Sequence, residues 1–177
     1  MNPTVSEKRY VQLYTGNGKG KTTAAVGLAV RAAGYGLKTY MGQFMKGWPY
    51  GELAALKNHP LITIEQYGDE NCIRKTDITR PHIDRARQGL LKIGNAMHSG
   101  QYDILILDEI NVAVWFGLLT SKEVTNLLSQ RPENIEVVLT GRNAPKELID
   151  VADLVTEMKE IKHYYTEGIL ARDGIER

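Results

Sequence analysis

The chain has 177 residues, 24% of them charged and 42% hydrophobic, and a formal net charge of +1. That length suits a single domain with a substantial core, and the balanced charge excludes the strong basic field of a nucleic-acid motor or a membrane-surface binder. One cysteine, Cys72, excludes an internal disulfide framework and fits a reducing compartment.

The opening residues MNPTVSEKRY are polar and lack the apolar core of a signal peptide. No apolar run is long enough to span a bilayer, so a cytoplasmic protein is expected. Residues 1–9 read as a loose arm on one domain covering 1–177. The apolar run Tyr10 to Tyr14 predicts a strand. It breaks into Thr15-Gly16-Asn17-Gly18-Lys19-Gly20 and restarts at Lys21-Thr22-Thr23 as a helical pattern. Strand, glycine loop and helix are the context of a phosphate-binding loop. Glycines let backbone N–H groups converge on phosphate oxygens, and the helix offers its positive end. Lys21 is placed to reach the outer phosphates and the Thr22 hydroxyl to ligate magnesium. The strict pattern G-x-x-x-x-G-K-[ST] fails at one place, where Thr15 stands at its first glycine.

Ala25, Leu28, Ala29 and Ala32 recur at helical spacing from Thr22 to Ala33, and Gly34 ends that helix. A second strand is predicted over Lys38 to Phe44. The loop after it, Met45 to Glu52, holds a cation, two aromatics and a carboxylate, where an α/β sheet places its ligands. Trp48 there either stacks on a flat ligand or plugs the core edge. A short helix is expected over Glu52 to Lys57, a strand over Leu61 to Tyr67 and a long loop over Gly68 to Pro81. A helix follows from His82 to about His98.

The run DILILDE, Asp103 to Glu109, reads as a buried strand that delivers carboxylates at its C-terminal end. Asp108 is a candidate magnesium ligand, direct or through water, and Glu109 an outer ligand or catalytic base; two solvated acids are the plainer alternative. Ile110 to Leu119 is apolar and of uncertain period, and Ser121 is the expected cap of the next helix. Ile135 to Thr140 is another buried strand, ending in Thr140-Gly141-Arg142-Asn143. Arg142 either pairs with phosphate or answers a nearby carboxylate. A short helix from Pro145 to Val151 and a strand from Leu154 to Met158 precede the tail. His163 has no partner at metal-ligand spacing and reads as structural. The alternation throughout predicts an α/β fold: a mostly parallel open sheet with helices on both faces, of P-loop NTPase (RecA-like) architecture.

The segments GNGKGKTTAA, QFMKGWPYGE, ILDEIN, TGRNAP and DLVTEMKEIKHYYTEGILARDGIE occur in that order. Together they resemble the P-loop type of ATP:corrinoid adenosyltransferase, over about Tyr10 to Glu176. The resemblance implies a transferase that moves the 5′-deoxyadenosyl group of ATP to the cobalt(I) of a corrinoid and releases triphosphate, in adenosylcobalamin biosynthesis or salvage. ATP would lie in the reverse sense to ordinary P-loop enzymes, leaving C5′ open. Magnesium or manganese, a flavoprotein reductase and a homodimer are implied as well. On this reading Gly16, Asn17, Gly18, Lys19, Gly20, Lys21, Thr22 and Thr23 cradle the nucleotide, with Lys21 and Glu109 catalytic. Thr22 and Glu109 belong with metal and phosphates, and Asp108 joins them from the strand-end argument. Arg142 and Asn143 belong with the nucleotide, and Gln43, Lys46, Trp48 and Glu52 lie near it. One departure stands out: the aromatic-rich segment that such proteins carry after the third strand is replaced by Tyr67-Gly68-Asp69-Glu70-Asn71, with Tyr67 or Ile73 as the available substitutes. The rivals are a P-loop ATPase or small-molecule kinase, and a non-catalytic protein that binds ATP and a corrinoid.

Overall fold

Six strands form one sheet in the order β3-β2-β4-β5-β1-β6, and every pairing in it is parallel. The computed structural model describes residues 8–71 and 73–176. Most of the expected arm and Cys72 lie outside the described residues. The strands are β1 (Val11–Thr15), β2 (Thr39–Gln43), β3 (Ile62–Gln66), β4 (Ile104–Asp108), β5 (Glu136–Thr140) and β6 (Leu154–Glu157). The helices are α1 (Lys21–Ala33), α2 (Gly51–Leu56), α3 (Arg80–His98), α4 (Ile110–Phe116), α5 (Ser121–Ser129) and α6 (Lys146–Val151).

Period-2 alternation sorts the strand side chains into two cores. Leu105 and Leu107 of β4 face α3, α4, α5 and α6, together with Leu13, Val137 and Leu139. Ile104 and Ile106 point the other way, with Met41 and Val138, onto Ala25, Ala29 and Ala32 of α1. Fully burying one such leucine or isoleucine stabilises the fold by about 1.5–3 kcal/mol. The alanines of α1 let that helix lie close to the sheet, which brings its N-terminus onto the sheet edge. The expected layers are therefore present, and the run Ile110 to Leu119 resolves into the short buried helix α4.

Two local expectations change. Thr120, not Ser121, caps α5: its hydroxyl accepts from Glu123 N at 3.1 Å while Glu123 Oε2 accepts from Thr120 N at 2.7 Å. The reciprocal pair satisfies two donors at once, which Ser121 inside the first turn cannot do. Tyr67 is not available as an aromatic surface, because it is a core residue 6% exposed. Its hydroxyl bonds that of Tyr40, and burial followed by that bond raises its pKa. Gly42 and Gly89 leave the room its ring fills.

All strands end at the same edge, and the backbone is strained there. Gly16, Met45, Glu109, Gly141 and Asn143 take φ of 94°, 59°, 60°, 131° and 55° just beyond the ends of β1, β2, β4 and β5. Non-glycine residues in this region cost energy that the surrounding structure must hold, and such residues cluster at functional edges.

Candidate nucleotide site

The glycine loop leaves β1 at Thr15, which keeps its strand conformation: its carbonyl accepts from Met158 N at 2.8 Å. The left-handed turn falls at Gly16 instead, so the departure from the strict pattern moves the flexible position by one residue. Gly18 N donates to Met158 O at 2.7 Å. A Cβ on Gly18 would sit 2.8 Å from Lys159 O, so this glycine is demanded by the chain leaving β6. Lys21 is buried and donates to Gly16 O at 2.7 Å and Gly18 O at 2.8 Å. Burial lowers its pKa, partly offset by Glu109.

Asp108 closes β4 with no exposed surface. Its Oδ1 accepts from Thr22 Oγ1 at 2.8 Å and from Thr140 Oγ1 at 2.7 Å. Its Oδ2 pairs with Lys46 Nζ at 2.8 Å and lies 3.4 Å from Gln43 Nε2. Phosphate loop and acidic strand are thus joined through one carboxylate, although β5 runs between β1 and β4. Gln43 also donates to Glu52 Oε1 at 2.9 Å. Burial pulls the pKa of Lys46 down, but Asp108, then Glu52 and Glu109, outweigh it and the net shift is upward.

Glu109 sits on the αL turn between β4 and α4, with its N–H donating to Thr140 Oγ1 at 2.9 Å. Burial, then the charge of Asp108, raises its pKa. Among the described residues no donor reaches its carboxylate, which faces the cleft. Thr22, Asp108 and Glu109 are hard oxygen donors of the kind magnesium or manganese takes. Among the described residues no group of three or more His, Cys, Asp or Glu could hold a metal ion.

These groups line a cleft of about 950 Å³, near the top of the range for small-molecule sites. Its floor is Gly18 to Thr23, and its sides carry Lys46, Tyr50, Glu52, Glu109 and Arg142. Gln43 and Asp108 are buried behind this surface, whereas Gly16, Asn17 and Asn143 are not among its lining residues, and Asn17 and Asn143 are exposed. Trp48 is turned away and 57% exposed, and Tyr50 takes the aromatic place, with Lys46 Nζ 4.9 Å from its ring centre. Lys19 lines the cleft with its ammonium committed to the tail: 2.7 Å from Glu176 Oε1, 2.9 Å from Ile175 O and 3.2 Å from Tyr164 Oη.

The tail is the part of the site that the residue pattern leaves out. Tyr164, Tyr165, Ile169, Leu170 and Ile175 form one wall of the cleft. His163, read as structural, also lines the cleft, and its Nδ1 accepts from Tyr165 N at 3.1 Å at the start of a 3-10 turn over Tyr164–Glu167. Thr140 was also missed. Its available signal was a polar residue closing an apolar strand, the same signal that marks Asp108.

The chain matches the family model described as ATP:corrinoid adenosyltransferase BtuR/CobO/CobP over residues 7–177. It is 34% identical over 176 residues to a protein of Escherichia coli strain K12 named corrinoid adenosyltransferase, covering 96% of this chain and 86% of that relative. It is 35% identical over 177 residues to corrinoid adenosyltransferase CobA of Salmonella typhimurium strain LT2, covering 96% and 86%. A corrinoid adenosyltransferase of Sinorhizobium sp is 35% identical over 179 residues, covering 99% and 84%.

Proposed function

Because the chain belongs to the ATP:corrinoid adenosyltransferase family, we propose that the cleft at the carboxyl edge of its sheet is where ATP meets the corrinoid. The protein adenosylates corrinoids at the expense of ATP. Cobalt(I) supplies the electron pair, the new bond forms to C5′, and the C5′–O bond breaks. Triphosphate leaves with the bonding pair, and the cobalt is formally oxidised to cobalt(III). The product serves adenosylcobalamin biosynthesis or salvage.

The observation that carries the assignment of the site is the 2.8 Å bond from Thr22 to Asp108. It brings phosphate loop and acidic strand to one point beside a cleft roomier than a nucleotide alone requires. Cobalt(I) is already a strong nucleophile, so no side chain has to be one. The demand on the protein is to hold C5′ in line and to stabilise charge on the departing triphosphate. Lys21 and the loop amides from Gly16 to Thr23 take that charge, with Arg142 as a planar partner for a phosphate and Asn143 next to it in the chain. Thr22, Asp108 and Glu109 would hold magnesium or manganese, which supplies Lewis-acid charge to the phosphates. Gln43, itself held by Glu52, keeps Asp108 in place, and Lys46 lies beside them. The apolar side chains of the tail keep water from C5′, so that cobalt rather than hydroxide is the acceptor. Trp48 belongs to this site only through its loop. The flavoprotein reductase and the homodimer implied by the resemblance stay with this reading.

The deciding measurement is anaerobic incubation of the chain with ATP, magnesium and chemically reduced cob(I)alamin. A light-sensitive cobalt–carbon product and one intact triphosphate per turnover are expected. ADP formation without that product would overturn the reading in favour of an ATPase or kinase.

A further inference from the structure

Lys46 occupies a place that its charge makes unusual. Its side chain is 12% exposed, and its ammonium lies 2.8 Å from Asp108 Oδ2, 3.3 Å from Thr22 Oγ1 and 3.6 Å from Glu52 Oε1. The αL residue Met45 turns the chain after β2 and carries Lys46 over the end of the sheet. Asp108 and Thr22 are two of the three donors expected to serve a divalent cation. A magnesium ion bound by Asp108 would need oxygens at about 2.0–2.1 Å, and an ammonium already bonded to Oδ2 cannot share that place with it. Of the nearby acids, only Glu109 has a carboxylate that no donor among the described residues reaches.

We infer that Lys46 is a resident cation in the metal seat, exchanged for the divalent ion when the triphosphate arrives. This rests on the reading of the cleft as a nucleotide site. With Lys46 in place, one of the two negative charges of Asp108 and Glu52 is cancelled and Asp108 Oδ2 is occupied, so a free divalent ion has less to gain by entering. A bound triphosphate changes the balance, because its oxygens offer the ammonium a second anion within the cleft and complete the ion's shell. The four-carbon stem lets the ammonium pass from Asp108 to phosphate without moving the backbone. The metal then enters with the nucleotide rather than ahead of it, and Lys46 ends as a phosphate-facing cation of the reaction it admits.

The test is a titration of the full chain with manganese(II) alone, followed by loss of the free-ion EPR signal, in the absence of any nucleotide. Lys46→Met should bind manganese about tenfold or more tightly than the natural chain, the size of an ordinary coupling between two linked sites. Lys46→Gln should show the same gain and serves where the methionine variant does not fold. The double variant Lys46→Met/Asp108→Asn should lose the gain. Unchanged manganese affinity in both single variants, or a gain that survives the double variant, would each overturn the inference. No corrinoid or turnover enters the titration, so its failure is distinct from a failure to form the adenosylated product.

Discussion

At the scale of single residues, the site hangs on Asp108, whose two oxygens gather β1's loop, β2, β4 and β5 into one point. Such a carboxylate is legible in the sequence because four apolar residues ending on an acid mark a buried strand that delivers the acid to the sheet edge. Thr140 was not legible, because a threonine closing a strand is ordinary until the strand order puts it beside Asp108. Trp48 and Tyr50 show the same limit. Both follow the same strand end, and only the turn geometry decides which ring faces the cleft. Lys21 is the residue whose role was clearest, and its prediction is direct. Lys21→Ala should lower kcat/KM for ATP by about 10²–10³-fold, the cost of removing one donor from developing oxyanion charge. Steady-state kinetics over a range of ATP concentrations would measure it, and near-natural rates would mean the loop does not hold the triphosphate.

At the scale of elements, periodicity carried most of the reading, since six strands and the main helices fall within a few residues of their expected places. Ends were less legible than middles because caps are chosen by reciprocal bonding, as Thr120 and Glu123 show. The glycine loop is the element where sequence and packing say different things. Its glycines suit a phosphate, yet Gly18 is pressed against the backbone at Met158 and Lys159. Gly18→Ala should therefore lower Tm in the absence of any nucleotide. A clash with backbone cannot be relieved by a rotamer change, and overpacking of this kind costs about 1–3 kcal/mol. For a chain of this size that is about 2–4 °C per kcal/mol, read by thermal denaturation. An unchanged Tm would show that the loop has slack.

At the scale of the whole molecule, the sheet order and the return of the tail were the least legible features. Strand order depends on which crossovers the helices make, and hydrophobic alternation does not encode it. The tail has no period to read, and its place is fixed by Lys19 meeting Glu176 and Tyr164 across more than a hundred residues. The outer strand β6 is exposed along its length, and Leu154 and Val155 stand 46% and 43% exposed. An open apolar edge is a place where chains pair, and it supports the proposed homodimer. Sedimentation velocity at about 10 μM should give one species at twice the 19.8 kDa chain mass. A single species at the chain mass would remove the homodimer from the reading.

The position of β1 also bears on how the protein is born. Among the described residues it pairs with β5 and β6, so this strand has no sheet neighbour until residues 136–157 follow. The middle strands β2, β3 and β4 can pair among themselves in the meantime. A nascent chain stalled before residue 136 has thus made its entire glycine loop and none of the strands that flank it. Strand β1 is therefore seated only after β2, β3 and β4, which follow it in the chain, and the proposed nucleotide cleft is complete only once β5 and β6 have joined the sheet.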